Sequence, residues 1–278
     1  MNFFHYFYPQ PIIFQFGPLS FRWYGLIIVL GLLLGILVAG SLAKRRGLKF
    51  ELALDLGLWL AVGGILGARL YQVFVLDWSY YSHNLPEIFK IWQGGLAIHG
   101  AIIGGIIVVI FWSRKKKISF WQVVDLAAPA LALGQAIGRW GNYFNQELFG
   151  RPTNLPWGIP IEPKNRPEIF LSNRYFQPAF LYESVLDFVL FLILFLLARK
   201  NNCRPGSLLA IYFIGYGLIR FFMEFIRIDE TALWWGIRLP QIISVLLIIA
   251  GVGILKVKAT CLAFGESRRK NSKPKAED

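Results

Sequence analysis

Residues 23–43 read W-Y-G-L-I-I-V-L-G-L-L-L-G-I-L-V-A-G-S-L-A, an uncharged run bounded by Arg22 and Lys44. At 1.5 Å of rise per residue, a helix of this length reaches about 32 Å, enough for a hydrocarbon core of about 30 Å. Comparable apolar blocks recur near 52–75, 94–112, 121–138, 178–198, 206–227 and 240–256, the fourth interrupted by Asp125 and Pro129. Only 16% of the 278 residues are charged and 56% are hydrophobic, with mean hydropathy +0.51. A soluble chain carries nearer a quarter charged. The expectation is an all-α polytopic membrane protein with seven transmembrane helices, a single integral membrane domain over 1–278.

Basic residues set the orientation. Lys44, Arg45, Arg46 and Lys49 follow the first span; Arg114, Lys115, Lys116 and Lys117 follow the third; Arg199, Lys200 and Arg204 follow the fifth. Lys256, Lys258, Arg268, Arg269, Lys270, Lys273 and Lys275 follow the seventh, whereas an alternate loop mixes Asp77, Glu87 and Lys90. This pattern places the N-terminus outside and the C-terminus in the cytoplasm. It makes 139–177 an outer-face loop or cap and 257–278 a basic cytoplasmic tail. The net charge of +13 is then explained by topology and attraction to anionic lipid, with no nucleic acid needed. The aromatic segment from Phe3 to Phe16, broken by Pro9 and Pro11, is expected in the outer interface.

Cys203 and Cys261 both fall on the cytoplasmic side, where thiols stay reduced, so no disulfide is expected. His5, His83 and His99 are scattered, with no zinc-type spacing and hence no metal. Gly31 and Gly35, Gly63 and Gly67, and Gly100 and Gly104 have the spacing that lets helices approach closely in lipid.

The fourth span leads into Gly138–Gly150, G-R-W-G-N-Y-F-N-Q-E-L-F-G. A guanidinium and two amides at a membrane surface suit a lipid phosphate, and the glycines allow close backbone approach. Other ionisable groups within spans are costly and are candidates for function. Tyr24, Arg69, His99, Arg139, Glu183, Arg220, Glu224 and Arg227 all come out toward the outer side, pointing to one polar cavity. Asp55 and Asp125 lie near cytoplasmic ends and are weaker candidates. Tyr216, Arg220, Glu224 and Arg227 share one helical face, and Arg220 and Glu224 are spaced to pair. That pair is open to two readings, a self-satisfied ion pair or an arginine shared with a substrate phosphate. A lone histidine such as His99 is equally readable as a packed core residue or as a functional one.

The Gly138–Gly150 run resembles the signature of the prolipoprotein diacylglyceryl transferase family at Gly138, Arg139, Gly141, Asn142, Asn145, Glu147 and Gly150. Arg22-Trp23-Tyr24-Gly25, Gly67-Ala68-Arg69, Ile98-His99-Gly100 and Tyr216-Gly217-Leu218-Ile219-Arg220-Phe221, with Glu224 and Arg227, resemble further family motifs in the same order. The resemblance runs from about residue 20 to 255. Tyr143 departs from the common phenylalanine, and Gln177 stands where the family often has histidine before proline.

The resemblance implies transfer of the diacylglyceryl group of phosphatidylglycerol to the lipobox cysteine of a prolipoprotein signal peptide. The products are a thioether and glycerol phosphate, and no cofactor takes part. It implies a place among the lipids of the bacterial cytoplasmic (inner) membrane, with the active site toward the outer leaflet. Ionising a free thiol at pH 7 costs about 2 kcal/mol, less than the reluctance of a phosphate ester to leave carbon. Cations aimed at the leaving group are therefore expected to contribute most, with Arg139 and Arg220 in that part. Asn142 and Asn145 would hold glycerol hydroxyls or phosphate oxygens, and Glu147 would orient Arg139 or accept from the head-group glycerol. His99 is the candidate base, Tyr24 and Tyr216 would line the cavity, Glu224 would fix Arg220, and Gly138, Gly141 and Gly150 would shape the loop. The alternative is a lipid or solute transporter with a polar intramembrane site. The odd number of spans and the absence of an internal repeat count against it.

Overall fold

The computed structural model describes residues 3–17, 19–200 and 204–258. Cys203, Cys261 and the tail from residue 259 lie outside the described residues.

Helices dominate. In chain order they are α1 (Phe3–Tyr6), α2 (Trp23–Arg45), α3 (Glu51–Tyr71), α4 (Trp78–Tyr81), α5 (Ile98–Lys116), α6 (Phe120–Asn145), α7 (Ala179–Arg199), α8 (Ser207–Met223) and α9 (Leu239–Lys258). Six of them, with α3 extended by a π turn to Leu76, are long and apolar enough to cross a membrane. The chain is a multi-pass membrane protein. The remaining apolar helix, α8, has 17 residues.

The all-α class is joined by a few short strands between the helices. Three short antiparallel pairs are present: β1 (Ile12–Phe16) with β2 (Leu19–Arg22), β3 (Ile159–Pro160) with β4 (Tyr175–Phe176), and β5 (Leu233–Trp234) with β6 (Ile237–Arg238). They sit between helices, where backbone N–H and C=O groups lack helical partners and pair with each other instead.

The chain forms two compact units. The smaller, 40–124, is built on the crossing of α3 and α5. A Cβ on Gly67 would stand 2.4 Å from the Gly100 carbonyl oxygen, and one on Gly104 would stand 2.2 Å from that of Gly63. The helices therefore touch backbone to backbone, as the small-residue spacing requires. Asp55 of α3 accepts a hydrogen bond from the Trp112 indole at 2.9 Å and pairs with Lys116 of α5 at 2.8 Å, which accounts for its carboxylate. Leu56, Val109, Trp112 and Val123 form the apolar core beside it.

α5 begins at Ile98, four residues later than its apolar block. Gly94 and Gly95 precede it at φ +101° and +71°, a region open to glycine and costly for other residues. The carbonyls of this loop are taken up by Arg69. Its Nε donates to Ile88, one terminal nitrogen to Gly94 and Gly95, and the other to Glu87, at 2.5–2.9 Å. Four of the five Arg69 donors are thus engaged by the backbone of 87–95, which gives the side chain a structural task.

The larger unit contains 1–39 and 125–278. α2 meets α6 at Gly31 opposite Gly134 and at Gly35 opposite Ala130. α8 meets α9 where Gly217 lies against the Ser244 carbonyl. Asp125, buried within α6, accepts the N–H groups of Gly206 and Leu209 at 2.8 and 3.0 Å, capping α8. The negative carboxylate meets the partial positive charge of a helix start, so Asp125 has a structural task.

Beyond α6, residues 146–178 fold over an apolar cluster of Phe149, Ile159, Ile161 and Phe176, with Tyr143 and Phe180 supplied by the helices. Gln146, in the left-handed region, is the keystone. Its amide donates to the Pro9 carbonyl at 2.9 Å and accepts from the Glu162 N–H at 2.7 Å. His5 stacks on Tyr175 with ring centres 3.9 Å apart. The segment before α2 thus packs on the segment after α6.

Gly67→Leu should force α3 and α5 apart and lower the melting temperature of the purified protein by several degrees, an effect of about 1–3 kcal/mol for overpacking. A melting curve unchanged by this substitution would contradict the backbone contact.

Candidate active site

α6 does not stop at residue 138. It runs to Asn145, so the first part of the signature is helical and the loop starts seven residues later than expected. Gly138 and Gly141 lie on the helix and do not shape a loop. The helix matters because it puts Arg139 and Asn142 on neighbouring faces three residues apart. Gly141 has a different use. A Cβ there would fall 2.6 Å from the Tyr24 ring, so the missing side chain lets α2 lay Tyr24 against α6. Trp23 stacks on Phe144 one turn further on, with ring centres 4.7 Å apart.

Glu183, near the start of α7 and 3% exposed, is the hub. One carboxylate oxygen lies 2.6 Å from Arg139 Nε; the other lies 3.7 Å from an Arg220 nitrogen and 3.0 Å from an Arg227 nitrogen. Three guanidinium groups, from α6, from α8 and from the turn after α8, thus converge on one carboxylate. Asp187, one turn along α7 and buried, lies 4.0 Å from Arg139 Nε. Arg220 pairs with Glu224 at 2.8 Å, and Glu224 pairs with Arg238 at 2.9 Å. Arg227 also holds Asp229 at 2.7 Å. Burial raises the Asp229 pKa, but the Arg227 hydrogen bond and charge outweigh that and hold it below the usual aspartate range. Charges in so dry a setting persist only when paired; removing Glu183 would leave three cations to repel one another.

A second chain of polar contacts leads from Arg139 to the loop. Its terminal nitrogen donates to the Asn142 side-chain oxygen Oδ1 at 3.5 Å, and the Asn142 side-chain Nδ2 donates to Glu147 at 2.8 Å. Asn145 donates to the same Glu147 oxygen at 3.3 Å. Glu147 therefore reaches Arg139 through Asn142. Gly150 bridges to Arg227, its N–H donating to the Gln177 carbonyl at 2.9 Å. A Cβ at Gly150 would stand 2.9 Å from both Gln177 and Ile226, so glycine lets the loop close over the end of α8. Tyr216 stacks on Tyr212 at 5.7 Å on the α8 face that carries Arg220.

Arg139, Asn142, Asn145, Glu147, Tyr24, Gly150, Tyr216, Arg220 and Glu224 all belong to the larger unit. His99 belongs to the smaller one, in the first turn of α5, with an exposed ring stacked 5.8 Å from Tyr71. Sequence reading left three partners unassigned. Asp187 was accessible from its position four residues after Glu183, which puts both carboxylates on one face. Arg238 and Asp229 carried no signal, because their partners are set by the turn after α8.

The exposures are graded. The side chains of Arg139 and Arg220 are 17% and 15% exposed, those of Glu183 and Glu224 only 3% and 0%. Arg139 and Arg220 face the accessible side with Glu183 and Glu224 behind them, while Arg227 is itself buried. Such a layout grips an oxyanion through preorganised forks.

A family model described as prolipoprotein diacylglyceryl transferase matches residues 11–257. A protein of Nostoc sp. named phosphatidylglycerol–prolipoprotein diacylglyceryl transferase is 44% identical over 258 residues, covering 90% of each chain. A protein of the same name from Acaryochloris marina is 45% identical over 248 residues, 89% of each chain. One from Prochlorococcus marinus is 42% identical, covering 95% of this chain and 96% of its own. With the match spanning nearly every helix and including the arginine–carboxylate cluster, the chain belongs to the prolipoprotein diacylglyceryl transferase family.

Proposed function

We propose that the chain transfers the diacylglyceryl group of phosphatidylglycerol to the lipobox cysteine of a prolipoprotein, releasing glycerol phosphate. The observation that carries this reading at the level of residues is the pair of guanidinium groups, Arg139 and Arg220, held side by side on the two oxygens of Glu183. In the reaction, sulfur bonds to the glycerol carbon that carried the phosphate ester. The carbon–oxygen bond breaks, and its electron pair leaves with the phosphate. The charge that develops there is met by two forks already in position, so little reorganisation is needed. Asn142 and Asn145 hold head-group oxygens, Glu147 fixes them, and Glu224 fixes Arg220. Tyr24 and Tyr216 line the cavity, and Gly150 lets the loop close. His99 remains the candidate base on the motif it shares with the family. No metal or organic cofactor enters this scheme.

The same reading sets the protein in the bacterial cytoplasmic membrane with seven spans, α8 being the sixth. The N-terminus is outside, the C-terminus and its basic tail cytoplasmic, and the cluster faces the outer leaflet. Residues 139–177, including the end of α6, serve as the outer-face cap. The graded basic loops support this orientation.

The test is glycerol phosphate release from phosphatidylglycerol by purified protein supplied with a lipobox peptide. Arg139→Lys keeps the charge and loses the planar fork, and turnover should fall about 10²-fold. Near-normal turnover would refute bidentate phosphate holding. His99→Gln should cost about 10²-fold at pH 7, and the deficit should shrink as pH approaches the thiol pKa of about 8.5. Full activity at pH 7 excludes His99 as the base.

A further inference from the structure

The turn between β5 and β6 is made by Trp235 and Gly236, at φ +51° and +78°. Two-residue hairpins of this kind favour Asn-Gly or Asp-Gly, because both central residues need positive φ. A tryptophan there is strained, and bulky residues persist in such conformations where something outside local propensity holds them. Trp235 is 93% exposed, and Leu233, Trp234 and Ile237 beside it are 51–67% exposed. The strand ends directly in α9, whose N–H at Leu239 closes the hairpin on the Ala232 carbonyl at 2.8 Å. Phe222 of α8, Phe225 just after it, and Leu239 and Ile243 of α9 are exposed as well.

The last residue of the hairpin points the other way. Arg238 donates to the carbonyls of Glu224, Arg227 and Asp229 and to the Thr231 hydroxyl, and pairs with the Glu224 carboxylate at 2.9 Å. Glu224 in turn holds Arg220. One side chain therefore joins an apolar tip to the guanidinium cluster.

We propose that the Leu233–Arg238 hairpin is inserted in the lipid interface, and that Arg238 transmits its position through Glu224 to Arg220. The occupant of the exposed face is the bilayer itself. The hairpin joins α8 to α9, both of which carry exposed apolar residues, and tryptophan is the residue that settles at the boundary between acyl chains and head groups. The insertion stands independently of the proposed reaction, whereas the coupling to Arg220 rests on it. Arg238 is a positioning residue.

The test uses the full chain in phosphatidylglycerol-containing nanodiscs. A spin label is placed at Trp235→Cys in a Cys203→Ser, Cys261→Ser background, with Lys164→Cys as an aqueous reference. Insertion is read as greater collision with oxygen than with a water-soluble nickel chelate at 235, and the reverse at 164. A label at 235 that behaves like the one at 164 overturns the proposal. Trp235→Ser should lower glycerol phosphate release roughly tenfold in bilayers and leave it unchanged on dispersed short-chain phosphatidylglycerol, where there is no bilayer to anchor to. Equal losses in both media would reveal a merely structural role and overturn it. Arg238→Gln should reduce release in both media with the label still in lipid. Arg238→Lys, which keeps the Glu224 pair, should restore most of it; unchanged activity in Arg238→Gln also overturns the coupling. Insertion together with a parent chain that releases no glycerol phosphate would sink the proposed reaction and leave the lipid anchor standing.

Discussion

A single buried carboxylate organises the charged end of the larger unit. Glu183 is shared by Arg139 from α6 and by Arg220 and Arg227 from α8 and the turn after it. Unpaired ions are expelled from a dry interior, and breaking a buried pair costs about 3–5 kcal/mol. The sharing therefore fixes where α6, α7 and α8 end relative to one another. It also keeps two forks in register at the accessible surface. Arrangement and proposed chemistry come from the same contact: the cations cannot relax apart without abandoning their common partner.

The rest of the frame keeps that end rigid. Backbone contacts at glycines fix the α2–α6 and α8–α9 crossings, where lipid supplies no hydrophobic force to bring helices together. Asp125 pins the far end of α8 by accepting its first free N–H groups. Gln146 pins the segment after α6 by joining Pro9 to Glu162. Each tie satisfies polar backbone that neither lipid nor apolar side chains could serve.

The six long apolar helices were plainly legible, because a long uncharged run has few other places to go. Boundaries were less so. The polar stretch after Gly138 reads as loop by composition, yet α6 continues to Asn145 because its polar side chains find partners along the helix and in Glu147. The start of α5 depends on Gly94 and Gly95 at positive φ, a choice fixed only when Arg69 gathers the neighbouring carbonyls. The i, i+4 rule found the Arg220–Glu224 pair but had no means of finding Arg238, whose partners are brought close by the turn after α8. The hairpins escaped notice for a similar reason: Trp-Gly is not a turn signal, and Phe14–Phe21 stacking appears only once the strands are paired. Local periodicity is written in the sequence; which carbonyl an arginine meets is a property of the assembled chain.

If α8 crosses the bilayer as proposed, its brevity has a consequence for the lipid around it. Seventeen residues extend only about 26 Å, less than the hydrocarbon thickness of about 30 Å. Such a mismatch is relieved by local thinning of the membrane or by sinking the flanking polar groups beneath the head-group plane. On the proposed seven-span reading, either response would lower the arginines relative to the surrounding lipid surface, and a phospholipid beside this helix would meet the cations at the depth of its glycerol backbone, without first having to rise out of its leaflet.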